Sequence, residues 1–288
     1  MLNRTMLEGI VRTALAEDVG SGDATTLAVV PANLVVTAEL ITREACVCAG
    51  LHVAELVFQE LDPETVMEAC VQDGDACAEG ACLATVTGNA RALLTGERTA
   101  LNLLQRMCGI ATVTRRYVEA ARPARARILD TRKTTPGLRI LEKYAVKAGG
   151  GENHRMGLYD RVMIKDNHRE LANLEGPGGI RRAVQACRAM WPALDVEVEA
   201  DTMDDLRAAL EAEADIVLLD NMSDEEMRHA VRLTNGRALL EASGGIGLDR
   251  VRSAAATGVD FISVGALTHS VRAIDISLDV RLRNQSSR

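Results

Sequence analysis

From about residue 128 onward the chain repeats one pattern: a short, almost uninterrupted apolar run, then a loop, then in the later units an amphipathic helical stretch. The runs Ile128–Thr131, Val162–Lys165, Asp195–Glu199, Ile216–Asp220, Ala238–Ala242 and Phe261–Val264 read as strands. Helical patterns at Ile180–Trp191, Met203–Glu213, Asp224–Leu233 and Leu248–Thr257 lie between the later ones. A strand without polar alternation is buried on both faces, and that demands a parallel sheet covered by helices. Six units in one run favour a barrel over an open sheet. The expected fold class is α/β, an incomplete (β/α) barrel preceded by an N-terminal α+β sandwich domain.

The first hundred residues read differently. An amphipathic helix near Leu7–Glu17 gives way to the turn-rich GSGDATT, then to short β-type runs at Leu34–Thr42, Ala45–Ala49, Val66–Val71 and Cys82–Thr87. Acidic and glycine punctuation between them suits hairpins. A long helix is expected over Glu97–Ala121, stopped by Pro123. The expected division is 1–107 for the sandwich, joined by the C-terminal segment 271–288, and 108–270 for the barrel. The polar tail RLRNQSSR reads as frayed.

In (β/α) barrels the functional residues sit where strands finish, because the loops that follow form one open face. The strand ends here form a coherent set: Asp130-Thr131-Arg132-Lys133, Lys165-Asp166-Asn167, Glu199, Asp220-Asn221, Ser243-Gly244-Gly245, and Gly265 followed by His269. Their charge is uneven. From Asp130 to Arg169 there are nine Arg/Lys against six Asp/Glu, counting Glu170 just beyond, inside a chain of net charge −8. Lys143 and Lys147, at i and i+4, read as a solvated helix face. Arg132, Lys133, Arg155 and Lys165 lie at strand ends or beside Gly149-Gly150-Gly151, and read as ligand contacts. Guanidinium forks suit planar carboxylates, and ammonium groups suit phosphates. Glu199 and Asp220 are hard oxygen donors of the kind that hold Mg²⁺ near phosphates, or else salt-bridge partners of the cations. Ser243-Gly244-Gly245-Ile246-Gly247 reads as a phosphate cradle opening a helix. His154 follows the triple glycine in a loop too polar to be core, which separates it from His52, His168 and His229.

The composition excludes several classes. With aromatics at 2% and an acidic balance, stacking surfaces for nucleic acid and binding to anionic membranes are not expected. No run approaches the ~18 apolar residues of a membrane span, and the N-terminus lacks a signal-peptide pattern. Seven cysteines without framework spacing read as reduced thiols of a cytoplasmic protein. Cys46 and Cys48, two apart in a strand, share a face and read as small buried hydrophobes in preference to a metal pair.

The stretches EDVGSGDATT, LTGERTALNLLQRMCGIAT, DTRKTTPGLR, EKYAVKAGGGENHRMGLYDRVMIKDNH, VEVEA, LLDN, EASGGI and GVDFISVGALTHS span nearly the whole chain. Together they resemble the quinolinate phosphoribosyltransferase family, which makes nicotinate mononucleotide for NAD biosynthesis. The strings DTRKTTPGLR and GGGENHRMGLYD carry most of that specificity, while LLDN alone means little. The resemblance implies transfer of a phosphoribosyl group from phosphoribosyl pyrophosphate to quinolinate, with release of CO₂ and pyrophosphate. It implies quinolinate contacts from Arg132, His154, Arg155 and Lys165, and from Arg98 of a partner subunit in a homodimer or higher oligomer. Thr131, Lys133, Glu199, Asp220, Ser243, Gly244, Gly245, Val264, Gly265, Ala266 and His269 would face the phosphoribosyl donor. Lys133, Glu199 and Asp220 would be catalytic, with Mg²⁺ held by Glu199 and Asp220, directly or through water. Cys108 stands where the family pattern leads one to expect serine, and Cys46 and Cys48 replace smaller or apolar residues; none touches a position with an assigned role.

Three other readings compete. A paralogue on the same scaffold, of the kind associated with molybdenum transport, would use a different acceptor. A Schiff-base aldolase would use Lys165 at its strand end, and borohydride trapping would expose it. A non-enzymatic anion-binding module would bind without turnover and leaves the Glu199/Asp220 pair unexplained.

Overall fold

The computed structural model describes residues 4–174 and 176–281, in two compact units. The first comprises residues up to Arg115, Thr135–Gly150 and the chain from Ser270; the second comprises Arg116–Thr134 and Gly151–His269. Residues 282–288, most of the polar tail, lie outside the described residues.

The first unit is built on an antiparallel sheet. Its strands are β1 (Val35–Thr42), β3 (Val66–Ala69), β5 (Cys82–Asn89) and the last described strand, Ile276–Arg281; β2 (Cys46–Val47) and β4 (Ala76–Cys77) pair separately. The last strand lies beside β1, with Leu40 opposite Leu278, so the chain's C-terminal segment closes this sheet's edge. Alternating burial along β1 places Ala38, Leu40 and Thr42 inward, as expected for a sheet with one covered face. The helix Leu51–Leu61 was not legible from turn signals. It starts at Gly50, whose φ of 102° is a left-handed conformation, and the Asp73 carboxylate accepts the Gly50 amide at 2.9 Å. The segment read as the turn GSGDATT is in part a helix, Ala24–Val29, because the Asp23 side chain caps the Thr26 amide. The long helix runs over Ala90–Ala121, starting seven residues before its expected position.

The helix Arg139–Ala148 corrects one expectation. Lys147 is exposed, but Lys143 is buried at 1% exposure. The buried arc of this helix takes in Leu141, Glu142, Lys143, Ala145 and Val146, wider than the apolar stripe alone. Arg106 compensates within it, its Nη2 lying 2.5 Å from Glu142 Oε1.

The second unit carries six parallel strands: β6 (Arg127–Leu129), β7 (Val162–Ile164), β8 (Val196–Ala200), β9 (Ile216–Asp220), β10 (Leu239–Ser243) and β11 (Phe261–Ser263). Their order in the sheet is β6-β11-β10-β9-β8-β7. Consecutive strands are neighbours from β7 to β11, and β6 adds to the far edge, as in a barrel left open between β6 and β7. Along that opening runs an extended segment. The Glu152 amide donates to Ile128 O at 2.8 Å and the Asp130 amide to Glu152 O at 3.2 Å. All five residues of β8 are buried, which explains a strand with no polar alternation in its exposure. No described helix is long and apolar enough to cross a membrane.

Candidate active site

The strand ends of the second unit converge on one cavity of about 980 Å³. Arg132 and Lys133 come from the loop after β6, Lys165 from the end of β7, Glu199 from β8 and Asp220 from β9. Thr131, His154, Arg155, Ser243, Gly244, Gly245, Val264, Gly265, Ala266 and His269 also line it. Of the residues expected at the site, only Arg98 is absent from this cavity; it is exposed on the long helix.

Backbone bonds hold the cations in place. Lys133 N–H donates to Thr131 Oγ1 at 3.1 Å, and its carbonyl accepts from Thr268 Oγ1 at 2.7 Å. Asp130, fully buried at the end of β6, accepts the His154 amide at 2.8 Å and Asn153 Nδ2 at 2.7 Å. One carboxylate therefore ties the segment bearing His154 and Arg155 to the first barrel strand. Arg155 Nη1 donates to Arg161 O at 3.1 Å. Burial lowers the Arg155 pKa, and the neighbouring positive charge of Arg132 lowers it further. Two guanidiniums held close at a cavity wall are a site whose strain an incoming dianion relieves.

The carboxylates are equally constrained. Lys165 Nζ lies 2.8 Å from Glu199 Oε2. Burial raises the Asp220 pKa, and the charges of Glu199 and Asp201 add to the effect. Two mutually repelling carboxylates on adjacent strands fit a divalent cation, which takes hard oxygen donors and would offset that repulsion.

The glycine turn after β10 is shaped for close approach. Gly244 has φ of 94°, and a Cβ there would lie 2.8 Å from the Asn221 backbone nitrogen and nearer still to its side-chain oxygen. The turn does not open a helix, contrary to expectation. The next helix, Val251–Ala255, begins only after a further turn and has five residues. What the turn offers is backbone, without an axial helix behind it. At Gly265 a Cβ would stand 3.0 Å from the Lys133 side chain and 3.1 Å from the His269 ring, so the bare glycine lets both approach.

His154 departs most from expectation. It is buried at 7% exposure, despite its polar loop. Its Nε2 lies 3.1 Å from Glu197 Oε2 and 3.4 Å from Glu241 Oε2, and its Nδ1 accepts the Arg155 amide at 2.6 Å. Burial pulls the imidazole pKa down, but the two carboxylates outweigh it and lift it to about 9. The amide at Nδ1 leaves no room for a second ring proton there, and this bond is the firmer constraint. The ring proton therefore sits on Nε2, facing the carboxylates. Full burial raises the Glu241 pKa, and the Glu197 charge raises it further. Glu197 also receives Arg161 at 3.4 Å. Neither glutamate was expected at the site. Their signal is present in the sequence, as acids in otherwise apolar strands, with Glu197 two residues before Glu199 and so on the same face. Tyr117 was missed as well; it reaches the cavity from the end of the long helix, where no strand-end argument applies.

Residues 110–279 match the quinolinate phosphoribosyl transferase C-terminal domain, and residues 23–108 match the N-terminal domain of the same enzymes. The chain belongs to the quinolinate phosphoribosyltransferase family. A carboxylating nicotinate-nucleotide pyrophosphorylase from Mycobacterium leprae is 48% identical over 277 residues, covering 94% of this chain and 95% of that protein. A probable nicotinate-nucleotide pyrophosphorylase from Bacillus subtilis is 42% identical over 286 residues, with 99% and 97% covered. The solved structure of the nicotinate-nucleotide pyrophosphorylase from Francisella tularensis superposes with a TM-score of 0.91 at 40% identity, over 98% of each chain. The family fold, an antiparallel sheet unit with a six-stranded parallel one, is the one described above.

Proposed function

We propose that this cavity transfers the phosphoribosyl group of phosphoribosyl pyrophosphate to quinolinate, with decarboxylation to nicotinate mononucleotide, as a step of NAD biosynthesis. The observation that carries the reading is the grouping of Arg132, Lys133, Arg155 and Lys165 with Glu199 and Asp220 on one cavity wall system. Both substrates are polyanions, and their mutual repulsion is the first barrier. Arg132 and Arg155 offer paired forks to the two ring carboxylates of quinolinate, and Lys165 adds a point charge. Lys133, the Ser243–Gly245 turn and the Val264–Ala266 segment with His269 take the phosphates. Glu199 and Asp220 would hold Mg²⁺, directly or through water, which when bound neutralises charge on the pyrophosphate leaving group.

The bond from the anomeric carbon to pyrophosphate breaks as the pyridine nitrogen forms its bond to that carbon, through an oxocarbenium-like state. Positioned charges stabilise such a state better than a protein nucleophile does. Once ribosylated, the ring nitrogen is cationic. It accepts the electron pair left as the C2 carboxylate departs as CO₂, and C2 then takes up a proton. In this reading His154 acts through Arg155: its ring nitrogens are engaged by the Arg155 amide and the two glutamates, so it positions the guanidinium rather than donating to substrate. Arg98 acts on the neighbouring subunit's quinolinate in a homodimer or higher oligomer.

The test is direct. Purified protein, quinolinate, phosphoribosyl pyrophosphate and Mg²⁺ are expected to yield nicotinate mononucleotide, CO₂ and pyrophosphate in equal amounts. Turnover of nicotinate but not quinolinate would overturn the decarboxylating assignment.

A further inference from the structure

Six of the seven cysteines lie in the first unit, and phosphoribosyl transfer uses none of them. Cys46, Cys48, Cys77 and Cys108 are buried, shut off from solutes. Cys70 and Cys82 are different. Cys70 is exposed, Cys82 is half-buried, and their sulfurs stand 3.4 Å apart.

The sheet itself makes this pair. Cys70 follows the end of β3, and its amide donates to Leu83 O at 2.9 Å, which fixes its backbone against β5. Along β5 the pairing with β1 slips: Leu40 faces Ala84, but the next residue, Ile41, faces Cys82. Leu83 is the extra residue of a β-bulge, and a bulge re-aims the side chains beside it. Leu83 is fully buried, and the thiol of Cys82 is turned toward the side where Cys70 stands. In a regular ladder neighbouring positions of β5 would point to opposite faces, so this meeting depends on the irregularity.

We propose that Cys70 and Cys82 form a solvent-accessible dithiol site that reacts with hydroperoxides to give a reversible disulfide and binds thiophilic trivalent arsenicals across both sulfurs. Cys70 is the attacking thiol, because it is the more exposed. Cys82 donates its S–H to Ala84 O at 3.5 Å, and burial followed by the neighbouring Cys70 pushes its pKa up to about 11, so it stays protonated. The Cys70 thiolate attacks the peroxide; an S–O bond forms, the O–O bond breaks, and an alcohol or water leaves. The Cys82 sulfur then attacks the Cys70 sulfenic acid; the S–S bond forms, the S–O bond breaks, and the departing hydroxide takes the Cys82 proton as water. Two thiols lose two electrons, and these reduce the peroxide O–O bond. The sulfurs must close from their present spacing to a disulfide bond of about 2.05 Å, a movement that one exposed side chain absorbs by rotation.

The link would tether the loop from Cys70 to Asp75 to β5. That loop carries Asp73, which accepts the Gly50 amide at 2.9 Å and Tyr144 Oη at 2.7 Å. Oxidation is therefore expected to raise the melting temperature by a few degrees, by shortening the unfolded chain's reach and holding this loop.

The experiment treats the full-length reduced chain with hydrogen peroxide, digests it without reductant and maps disulfides by mass spectrometry. The expected product is one peptide pair joined at Cys70 and Cys82, released by dithiothreitol. Phenylarsine oxide should bind the reduced protein one to one and protect both thiols from alkylation. Cys70→Ser and, separately, Cys82→Ser should each abolish the link and the arsenical capture while leaving transferase activity unchanged. Peroxide treatment that leaves Cys70 and Cys82 unlinked, joins Cys46 to Cys108 instead, or couples two chains through Cys70 would overturn the proposal. Arsenical capture that survives in either serine variant would do the same.

Discussion

Two arginines and two glutamates divide the work at the residue scale. Arg132 and Arg155 crowd each other at the cavity wall, and the acceptor's paired carboxylates are the natural relief for that crowding. Replacing Arg132 by alanine should raise the KM for quinolinate at least ~10-fold, the loss of a charge-assisted hydrogen bond. The KM for phosphoribosyl pyrophosphate should change far less. Steady-state kinetics with each substrate varied in turn decides it, and equal effects on both would remove Arg132 from the acceptor. The buried glutamates should behave unequally. Burial and the Glu197 charge push the Glu241 pKa up, so Glu241→Gln, which removes the charge disfavoured there, should cost less than ~1 kcal/mol in urea denaturation. Glu197 faces both His154 and Arg161, so Glu197→Gln removes the carboxylate from two contacts of a buried cluster and should cost about 3 kcal/mol. Equal losses would mean that the two glutamates are not distinguished by their surroundings. The sequence makes the four cavity cations legible because charges at strand ends stand out against apolar runs. Glu197 and Glu241 show in the sequence only as acids inside apolar strands, and their partner becomes visible once the barrel folds His154 down between them.

At the scale of elements, turns and caps set what the strands deliver. Gly244 holds a left-handed φ beside the Asn221 backbone, and no other residue fits both demands. Gly244→Ala should lower kcat/KM for phosphoribosyl pyrophosphate by ~10-fold or more, because the added Cβ forces the turn to shift and a misplacement of about 1 Å can cost about 100-fold. The far-UV circular dichroism should be unchanged. Near-normal kinetics would show that the turn is packing alone. Asp73 caps the Leu51–Leu61 helix. Burial pushes its pKa up, but hydrogen bonds from His52, Tyr144 and the Gly50 and Leu51 amides outweigh this and bring it from 3.8 to about 2. A depressed carboxylate stabilises the fold above its unfolded pKa and loses that contribution as pH falls through its folded value. The term, about 2 kcal/mol, should thus be intact above pH ~4 and vanish toward pH ~2. Urea midpoints from pH 5 to pH 2.5 should fall more steeply for the native chain than for Asp73→Asn, and parallel curves would count against it. Most strands and the late helices were readable to within a few residues from periodicity, but Ala76–Cys77 and Ile276–Arg281 were not read as strands. The Leu51–Leu61 helix was not legible, because its cap comes from Asp73, some twenty residues along the chain. Lys143 escaped for a similar reason: its helix buries a polar arc whose partner, Arg106 for the adjacent Glu142, lies on another helix.

For the whole molecule, the proposal that reaches beyond one chain concerns Arg98, which does not line the cavity. Every other residue expected at the site belongs to the second unit, and Arg98 stands exposed in the first. If Arg98 serves a partner's cavity, as proposed above, one subunit supplies the barrel and the other the arginine. Two variants then fail for complementary reasons. Arg98→Ala keeps a whole cavity but cannot complete its neighbour's, and Lys133→Ala keeps the arginine but has a defective cavity. Mixed in equal amounts, dissociated and reassociated, random pairing makes half the dimers hybrid. Each hybrid has one site with an intact cavity and an intact arginine, so about a quarter of native activity should return from two nearly inactive proteins. A closed two-fold interface predicts this fraction, whereas a site completed within one chain predicts none, since both defects would then persist in every subunit. Activity that stays at the level of the separate variants, with exchange verified by a mass-tagged subunit, would place Arg98 outside catalysis in the partner. The mixing experiment also separates this question from the reaction itself, because it needs only that native protein turn over under the same conditions.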